Sequence, residues 1–124
     1  MTSAVTPSSD TLAKPKLSDE ALELIAARFR ALSEPMRLKL LNVLMQGERS
    51  VGELVAETSG GQANVSKHLA VLREAGMVAV RKEGTVTRCS ISDPAVYQLC
   101  EIMCSRLRER HEAMAKVLER SGLS

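Results

Sequence analysis

The stretch GQANVSKHLAVLREAGMVAVRKEGTVTRCSI, residues 61–91, decides the fold. Apolar residues recur at helical spacing from 62 to 75, and Gly76 follows, which predicts a helix that ends there. Two β-rich runs then lie on either side of a Glu83-Gly84 turn, which predicts a hairpin. An α-helix fits the major groove of DNA, and a basic β-ribbon beside it suits the phosphate backbone. The stretch therefore predicts a structural element that reads double-stranded DNA.

Three further helices are predicted before this stretch. Ser18 is placed to cap the first, and acidic residues follow it in the first turn, where the helix dipole favours them. Ser33 is expected to cap the second, with Pro35 allowed in its first turn. Ser50 and Glu53 have the spacing of a capping box, which predicts a short third helix. The duplex-reading helix would then be the fourth.

A long final helix is predicted from about residue 94 to about residue 120. At 1.5 Å per residue it would extend about 40 Å, too long for one small domain to cover. Its apolar residues recur at spacings of three, four or seven: Val96, Cys100, Met103, Leu107, Met114 and Val117. We therefore expect part of this stripe, together with the first helix, to pair with a second copy of the chain.

The composition limits the classes of protein to which this chain can belong. The 124 residues suit one domain, and 44% hydrophobic with only 2% aromatic residues favours packed helices. We expect residues 1–17 to be a disordered tail and residues 18–120 to be a single domain. The sequence lacks an apolar run of membrane-spanning length and a signal-peptide pattern, and its three cysteines form no disulfide pattern. A cytoplasmic protein with no membrane partner is expected.

Catalysis is not expected from this sequence. It offers no paired carboxylates, no nucleophile with its base and no glycine-rich phosphate loop, and it has only two histidines. The net charge of +2 indicates nothing by itself, so any nucleic-acid interpretation depends on where the cations lie. A winged-helix module that binds only proteins remains an alternative, which salt-dependent duplex affinity would separate from a DNA reader.

The order of elements, mainly α with a small β-hairpin wing, is that of a winged helix-turn-helix. Residues 29–44, FRALSEPMRLKLLNVL, resemble the opening F-x-A-L-x-x-P-x-R-L-x-I-L-x-x-L of the ArsR/SmtB bacterial repressors. Within residues 65–78, the chain is similar to their S-x-H-L-x-x-L-x-x-A-G-L-V run, and residues 81–84 resemble their wing turn. The resemblance spans about residues 24–120. It implies a dimeric bacterial repressor that binds an inverted-repeat operator and requires no cofactor.

The candidate DNA contacts lie on the fourth helix and on the wing. Gln and Asn can hydrogen-bond adenine, Lys can reach guanine, and Ser can bond a base or a phosphate. Arginine and lysine on the wing suit phosphate or minor-groove contacts. His68 matches a family histidine position, and we expect it either to pack locally or to contact a phosphate. The candidates are Gln62, Asn64, Ser66, Lys67, His68, Arg81, Lys82 and Arg88.

The cysteines are the candidate inducer site. Cys100 and Cys104 are four residues apart and share one helix face, and strand alternation predicts that Cys89 faces inward. Three thiolates without nearby carboxylates suit a soft ion such as arsenite or an organoarsenical. Oxidation or persulfide sensing by the same thiols and inert packing of buried cysteines are the alternatives. With inert cysteines the chain would be a constitutive repressor.

Two sensor sites of the resembled family are altered in this sequence. The zinc pattern D-x-H-x10-H-x2-H/E reads Gln98, Cys100, His111 and Met114 at the same spacing. Glutamine and methionine are poor zinc ligands, so a zinc sensor of that type is not expected. The region of the family's C-x-C cluster reads VGELVA, residues 51–56, without cysteine. A thiophilic inducer would therefore have to bind at the wing and the final helix.

Overall fold

The computed structural model describes residues 16–122, apart from the side chains of residues 112–115. The predicted tail, residues 1–17, lies almost wholly outside the described residues. The helices and strands, in chain order, are α1 (Asp19–Leu32), α2 (Pro35–Leu44), β1 (Arg49–Ser50), α3 (Val51–Thr58), α4 (Gln62–Glu74), β2 (Val78–Glu83), β3 (Val86–Ile91), α5 (Ala95–Arg110) and α6 (Glu112–Arg120). This order confirms the predicted winged helix-turn-helix. Within the described range, no helix has both the length and the apolar character needed to cross a membrane.

Two of the predicted helix caps are present. Ser18 Oγ accepts a hydrogen bond from the backbone N–H of Ala21 at 3.0 Å and begins α1. Ser50 and Glu53 form the complete capping box of α3, with bonds of 3.1 Å and 2.8 Å. The hydrogen bond from the Ser50 backbone to the Glu53 carboxylate lowers the pKa of Glu53. These bonds satisfy amide groups that a helix leaves without partners at its start.

The predicted role of Ser33 is wrong. Glu34 is the N-cap of α2, and Pro35 occupies the first turn as expected. Ser33 instead ends α1, where its hydroxyl donates to the carbonyl oxygen of Arg30 at 2.8 Å. The two helices are separated by only two residues, so Ser33 serves the last carbonyl groups of the preceding helix rather than the first amides of the next.

The wing has three strands rather than the predicted two. β1 pairs with β3 antiparallel, Arg49 opposite Cys89 and Ser50 opposite Arg88, and the strand order is β1-β3-β2. β3 is therefore the central strand. A two-residue strand is too short to show alternation, which explains why the sequence pattern did not indicate it. The Glu83-Gly84 turn is confirmed, with Gly84 in the left-handed region at φ 66°.

The hydrophobic core lies where α2, α3 and α4 meet the sheet. Of the apolar residues predicted for the core face of α4, Val65 and Leu72 are completely buried and Leu69 is 5% exposed. Leu40 and Leu41 of α2 are also completely buried. The core therefore fixes α4 along one side and leaves its other side to solvent.

The prediction of a single final helix from 94 to 120 is wrong in one respect, because the helix divides at His111. The backbone there is extended, with φ −138° and ψ 98°, and separates α5 from α6. Arg108 and Arg110 lie in the last turn of α5, and Glu112 opens α6. Basic residues suit the end of a helix and an acidic residue suits its start, so the charge order favours two helices over one. Two shorter helices therefore replace the expected 40 Å rod.

Arg37 connects three helices. From α2, its guanidinium donates to the carbonyl oxygens of Ala31 and Arg30 at the end of α1, at 2.7 and 3.0 Å. Its third bond, of 3.0 Å, reaches Nδ1 of His68 on α4. Because a guanidinium has only donors, Nδ1 is the acceptor and the imidazole proton is on Nε2. The contact couples the position of α4 to the end of α1.

We expect Arg37→Met to lower the free energy of unfolding by about 1–3 kcal/mol, because the Ala31 carbonyl oxygen and His68 Nδ1 lose the guanidinium as their donor. Arg106→Met is the control, because Arg106 is 72% exposed and pairs with Glu109 at 3.6 Å. Exposed pairs of this kind contribute about 0–1 kcal/mol. Urea denaturation measures both, and an equal loss in the two variants would contradict the structural role of Arg37.

Candidate nucleic-acid interface

The exposed side of α4 holds four of the predicted DNA contacts. Gln62, Asn64, Ser66 and Lys67 are all exposed, in the first two turns of the helix. Val65, in the same turns, is completely buried. The helix thus presents amide, hydroxyl and ammonium groups outward while its other face is fixed in the core.

The first turn of α4 also exposes backbone donors. Its N-cap is Gly61, and no side chain of the described residues caps it. The amide groups of a helix start lack partners within the helix and attract anions, so this end suits a phosphate group. The helix start therefore adds to the polar face a feature that suits an anion such as a phosphate.

A tight turn sets the angle between α3 and α4. Ser59 adopts the left-handed conformation at φ 59° and ends α3. At Gly60, a Cβ atom would lie 3.2 Å from Val65 Cγ2 and 3.0 Å from the Met36 side chain. Glycine therefore lets the turn approach the core closely, and the two helices of the helix-turn-helix are held at a short separation.

His68 differs from the other candidates on α4. Its side chain is only 7% exposed, and its Nδ1 is bonded to Arg37. Of the two roles predicted from the sequence, the structure shows the packed one. Arg37 was not singled out from the sequence, because a lone arginine in an apolar helix gives no signal of what it bonds.

The wing brings its predicted cations together. Arg81 of β2 and Arg88 of β3 are direct cross-strand partners, and Lys82 lies next to them opposite Thr87. Arg81 and Lys82 are exposed, whereas Arg88 is half-buried. Both arginines bond the carboxylate of Glu48, which raises the pKa of Arg88. Sequence reasoning missed Glu48, because it precedes a strand that no pattern indicated.

The three cysteines occupy two different environments. Cys89 is completely buried in the middle of β3, where its side chain faces inward as predicted, and burial raises the pKa of its thiol. Cys100 and Cys104 are half-buried on α5. Burial, and then the proximity of Cys104, raise the pKa of Cys100. The pair on α5 is therefore brought together, and Cys89 lies in the core.

A three-thiolate site is not formed within one chain. Among the described residues, no group of three or more His, Cys, Asp or Glu side chains is placed to hold a metal ion. The expected grouping of Cys89 with the other two thiols is thus not found, although Cys89 faces inward as predicted. Of the altered zinc pattern, Gln98 and His111 are exposed, and the side chain of Met114 lies outside the described residues.

Exposed apolar side chains lie on α1 and on the first nine residues of α5. A salt bridge between Arg28 and Asp93 connects α1 to the residues just before α5. The exposed apolar side chains on these helices are Leu22, Leu24, Ile25, Phe29, Leu99, Ile102 and Met103. Val96, predicted for the same stripe, is instead 2% exposed and belongs to the core of its own chain.

Known proteins share both this sequence pattern and this fold. The profile of the bacterial regulatory protein, arsR family, matches residues 34–80. A protein of Streptomyces lividans named probable mercury resistance operon repressor is 40% identical over 87 residues, which cover 70% of this chain and 68% of the relative. The chain belongs to the ArsR family. The resemblance proposed from the sequence is thereby confirmed, and this ArsR-family protein is a transcriptional regulator rather than an enzyme.

Other relatives agree with this assignment. The biofilm growth-associated repressor of Agrobacterium fabrum is 39% identical over 95 residues, or 77% of this chain and 74% of that protein. Among solved structures, the homodimeric winged helix-turn-helix DNA-binding domain of a possible ArsR-family regulator from Mycobacterium bovis has a TM-score of 0.67 and 29% identity. That match covers 77% of this chain and 94% of the other. The fold and family of this regulator are thus supported independently.

The cysteines of this ArsR-family regulator should differ in reactivity. We expect iodoacetamide at pH 8 to modify Cys89 at least about tenfold more slowly than Cys104, because a buried thiol with a raised pKa forms little accessible thiolate. For Cys100, the raised pKa means that its rate should keep rising with pH beyond the range of an ordinary thiol. Mass spectrometry of the labelled peptides measures the rates. Equal rates in the folded protein, rather than only in guanidinium chloride, would contradict the assigned burial.

Proposed function

We propose that this protein is a homodimeric repressor that places one α4 helix in each of two successive major grooves of an inverted-repeat operator. The observation that carries the proposal is the polar N-terminal face of α4, exposed while the opposite face is buried. A single reading helix covers only a few base pairs, so a dimer gains affinity and specificity from two half-sites. The proteins similar to this chain include named repressors and a homodimeric DNA-binding domain.

The residues have different proposed roles. Gln62 and Asn64 read base edges, because their amides can bond adenine through two hydrogen bonds. Ser66 and Lys67 contact a base or a phosphate. The wing cations Arg81, Lys82 and Arg88 contact phosphates or the minor groove. His68 acts indirectly, since its bond to Arg37 positions α4 while its side chain stays covered.

The dimer surface is the apolar face shared by α1 and α5. Phe29, the only phenylalanine of the chain, is 62% exposed, and Ile25 is 39% exposed; both line a surface depression with Leu99 of α5. On α5, Met103 is 60% exposed and Ile102 is 55% exposed. A contiguous group of large apolar side chains indicates an interface, and a second copy of this chain is the partner proposed here. Pairing there would bring α5 of each subunit, with its cysteines, near the twofold axis.

The proposed inducer is a thiophilic species bound by Cys100 and Cys104, such as arsenite or an organoarsenical. The two thiols are one helical turn apart on a half-buried face, and soft sulfur ligands select soft ions. The relative named as a mercury resistance operon repressor supports a thiophilic ligand class. Cys89 is left as a core residue. Binding at α5 would change the relative position of the two α4 helices and thereby weaken operator binding.

DNA binding is tested by fluorescence anisotropy on a labelled inverted repeat selected from random duplexes. Lys67→Ala should reduce the salt slope of log K by about 1.8, because each of the two subunits loses one phosphate contact. Asn64→Ala should cost about 1–3 kcal/mol of discrimination at one base pair. Lys116→Ala, which removes the same charge from the exposed surface of α6, is the control. Wild-type protein that ignores duplexes at low salt would remove the basis of the proposal.

Inducer binding is tested on the same complex with arsenite, phenylarsine oxide, sodium tetrasulfide and zinc chloride in parallel. We expect an arsenical to weaken wild-type binding about 5- to 150-fold, the usual range of allosteric coupling. Cys100→Ser and Cys104→Ser should abolish the response, and Cys89→Ala should retain it. A response to tetrasulfide alone would assign sulfur sensing to the pair instead. No response to any of them would make the chain a constitutive repressor.

A further inference from the structure

The register of the wing places two like charges face to face. Arg81 and Arg88 are direct partners across β2 and β3. Like charges opposite each other in an antiparallel pair repel and destabilise the sheet. Each guanidinium is permanently charged, so the pair requires a counter-ion when no DNA is bound.

Glu48 supplies that counter-ion. One oxygen, Oε1, accepts from Arg81 Nη2 at 3.2 Å and from Arg88 Nε at 3.1 Å. A second carboxylate, that of Glu83, reaches only Arg81, at 3.4 Å. The Glu48 side chain is 35% exposed, so water and ions can reach the cluster. Glu48 thus holds both arginines through a single atom.

β1, which the sequence patterns did not indicate, holds the backbone next to Glu48 in place. Glu48 immediately precedes β1, whose pairing puts Arg49 opposite Cys89 and Ser50 opposite Arg88. Arg49 also bonds Glu57 of α3 at 2.8 Å. The backbone beside Glu48 is therefore attached to the sheet and to α3, which keeps its carboxylate within reach of the arginines.

We propose that Glu48 is a specificity-determining residue, an internal counter-ion held in the place that a DNA phosphate would take between Arg81 and Arg88. The inference rests on the proposed DNA role of the wing. A carboxylate and a phosphate offer a guanidinium the same kind of oxygen acceptor, so the two compete for the same donors. Glu48 reduces the attraction of the wing for any duplex, and the regulator depends more on α4 to choose its site.

The test is Glu48→Gln, which keeps the size of the side chain and removes its charge. If one or two DNA phosphates then bind the released arginines, the salt slope of log K should steepen by about 0.9–1.8. Affinity for non-operator duplex at 0.1 M salt should rise about fivefold to tenfold for each phosphate bound in this way. The ratio of operator to non-operator affinity should fall, because the increase is independent of sequence.

Glu109→Gln is the matched control, since it removes an equal charge from the exposed surface of α5. A double-mutant cycle adds a readout that a merely structural role would not change. Arg81→Gln should reduce the salt slope less in the wild type than in the Glu48→Gln background, where the reduction should be about 0.9 for each wing that binds a phosphate. Circular dichroism shows whether each variant keeps its fold, and a modest fall in the thermal midpoint of Glu48→Gln is expected because the two arginines then repel each other.

The outcomes separate this inference from the proposed function. Salt-dependent operator binding by the wild type with an identical slope for Glu48→Gln overturns the counter-ion role and leaves the repressor proposal intact. Weaker binding by Glu48→Gln at an unchanged slope also overturns it, because Glu48 would then only order the wing. Absence of duplex binding by the wild type removes both proposals together.

Discussion

The position of α4 depends on the burial of its apolar face. Val65 and Leu72 are completely covered, and each buried side chain of this size contributes about 1.5–3 kcal/mol. Gly60 allows the preceding turn to approach Val65 closely, and Arg37 connects His68 to the end of α1. These contacts hold the helix without using Gln62, Asn64, Ser66 or Lys67. The side chains proposed to read DNA are therefore not needed to hold the helix in place and are carried on a rigid support.

The positions of the charged residues in this regulator say more about its partner than its net charge does. A net charge of +2 on 124 residues gives no sign of a nucleic-acid partner. The structure places Arg81 and Arg88 opposite each other on the wing, where they share the carboxylate of Glu48, and Lys82 follows Arg81 on β2. Electrostatic attraction extends only about 10 Å at 0.1 M salt. The positions of these few charged groups therefore matter more for binding than the net charge of the chain. Local pairing therefore determines how much of the wing's charge a duplex would meet.

Sequence reasoning succeeded where the signal is local or periodic, and failed where it depends on tertiary pairing. The capping box of Ser50 and Glu53 and the core face of α4 follow from spacing alone, and both were confirmed. The two-residue β1 has no period to detect, so Glu48 remained hidden with it. The break at His111 contains neither proline nor glycine. For the site, exposure on α4 and the inward orientation of Cys89 were predictable, whereas the fold was needed to show that the three cysteines form no metal-holding group among the described residues.

The pairing of β1 with β3 also bears on solubility. An open strand edge offers unpaired amide and carbonyl groups to another chain and invites intermolecular sheet growth. Here β1 covers that edge of β3 at Arg88 and Cys89, and β1 itself is too short to template a further strand. The remaining edge, β2, carries Arg81 and Lys82, whose charges disfavour stacking against a second copy. The same cations that suit a phosphate backbone thus also oppose aggregation through this edge.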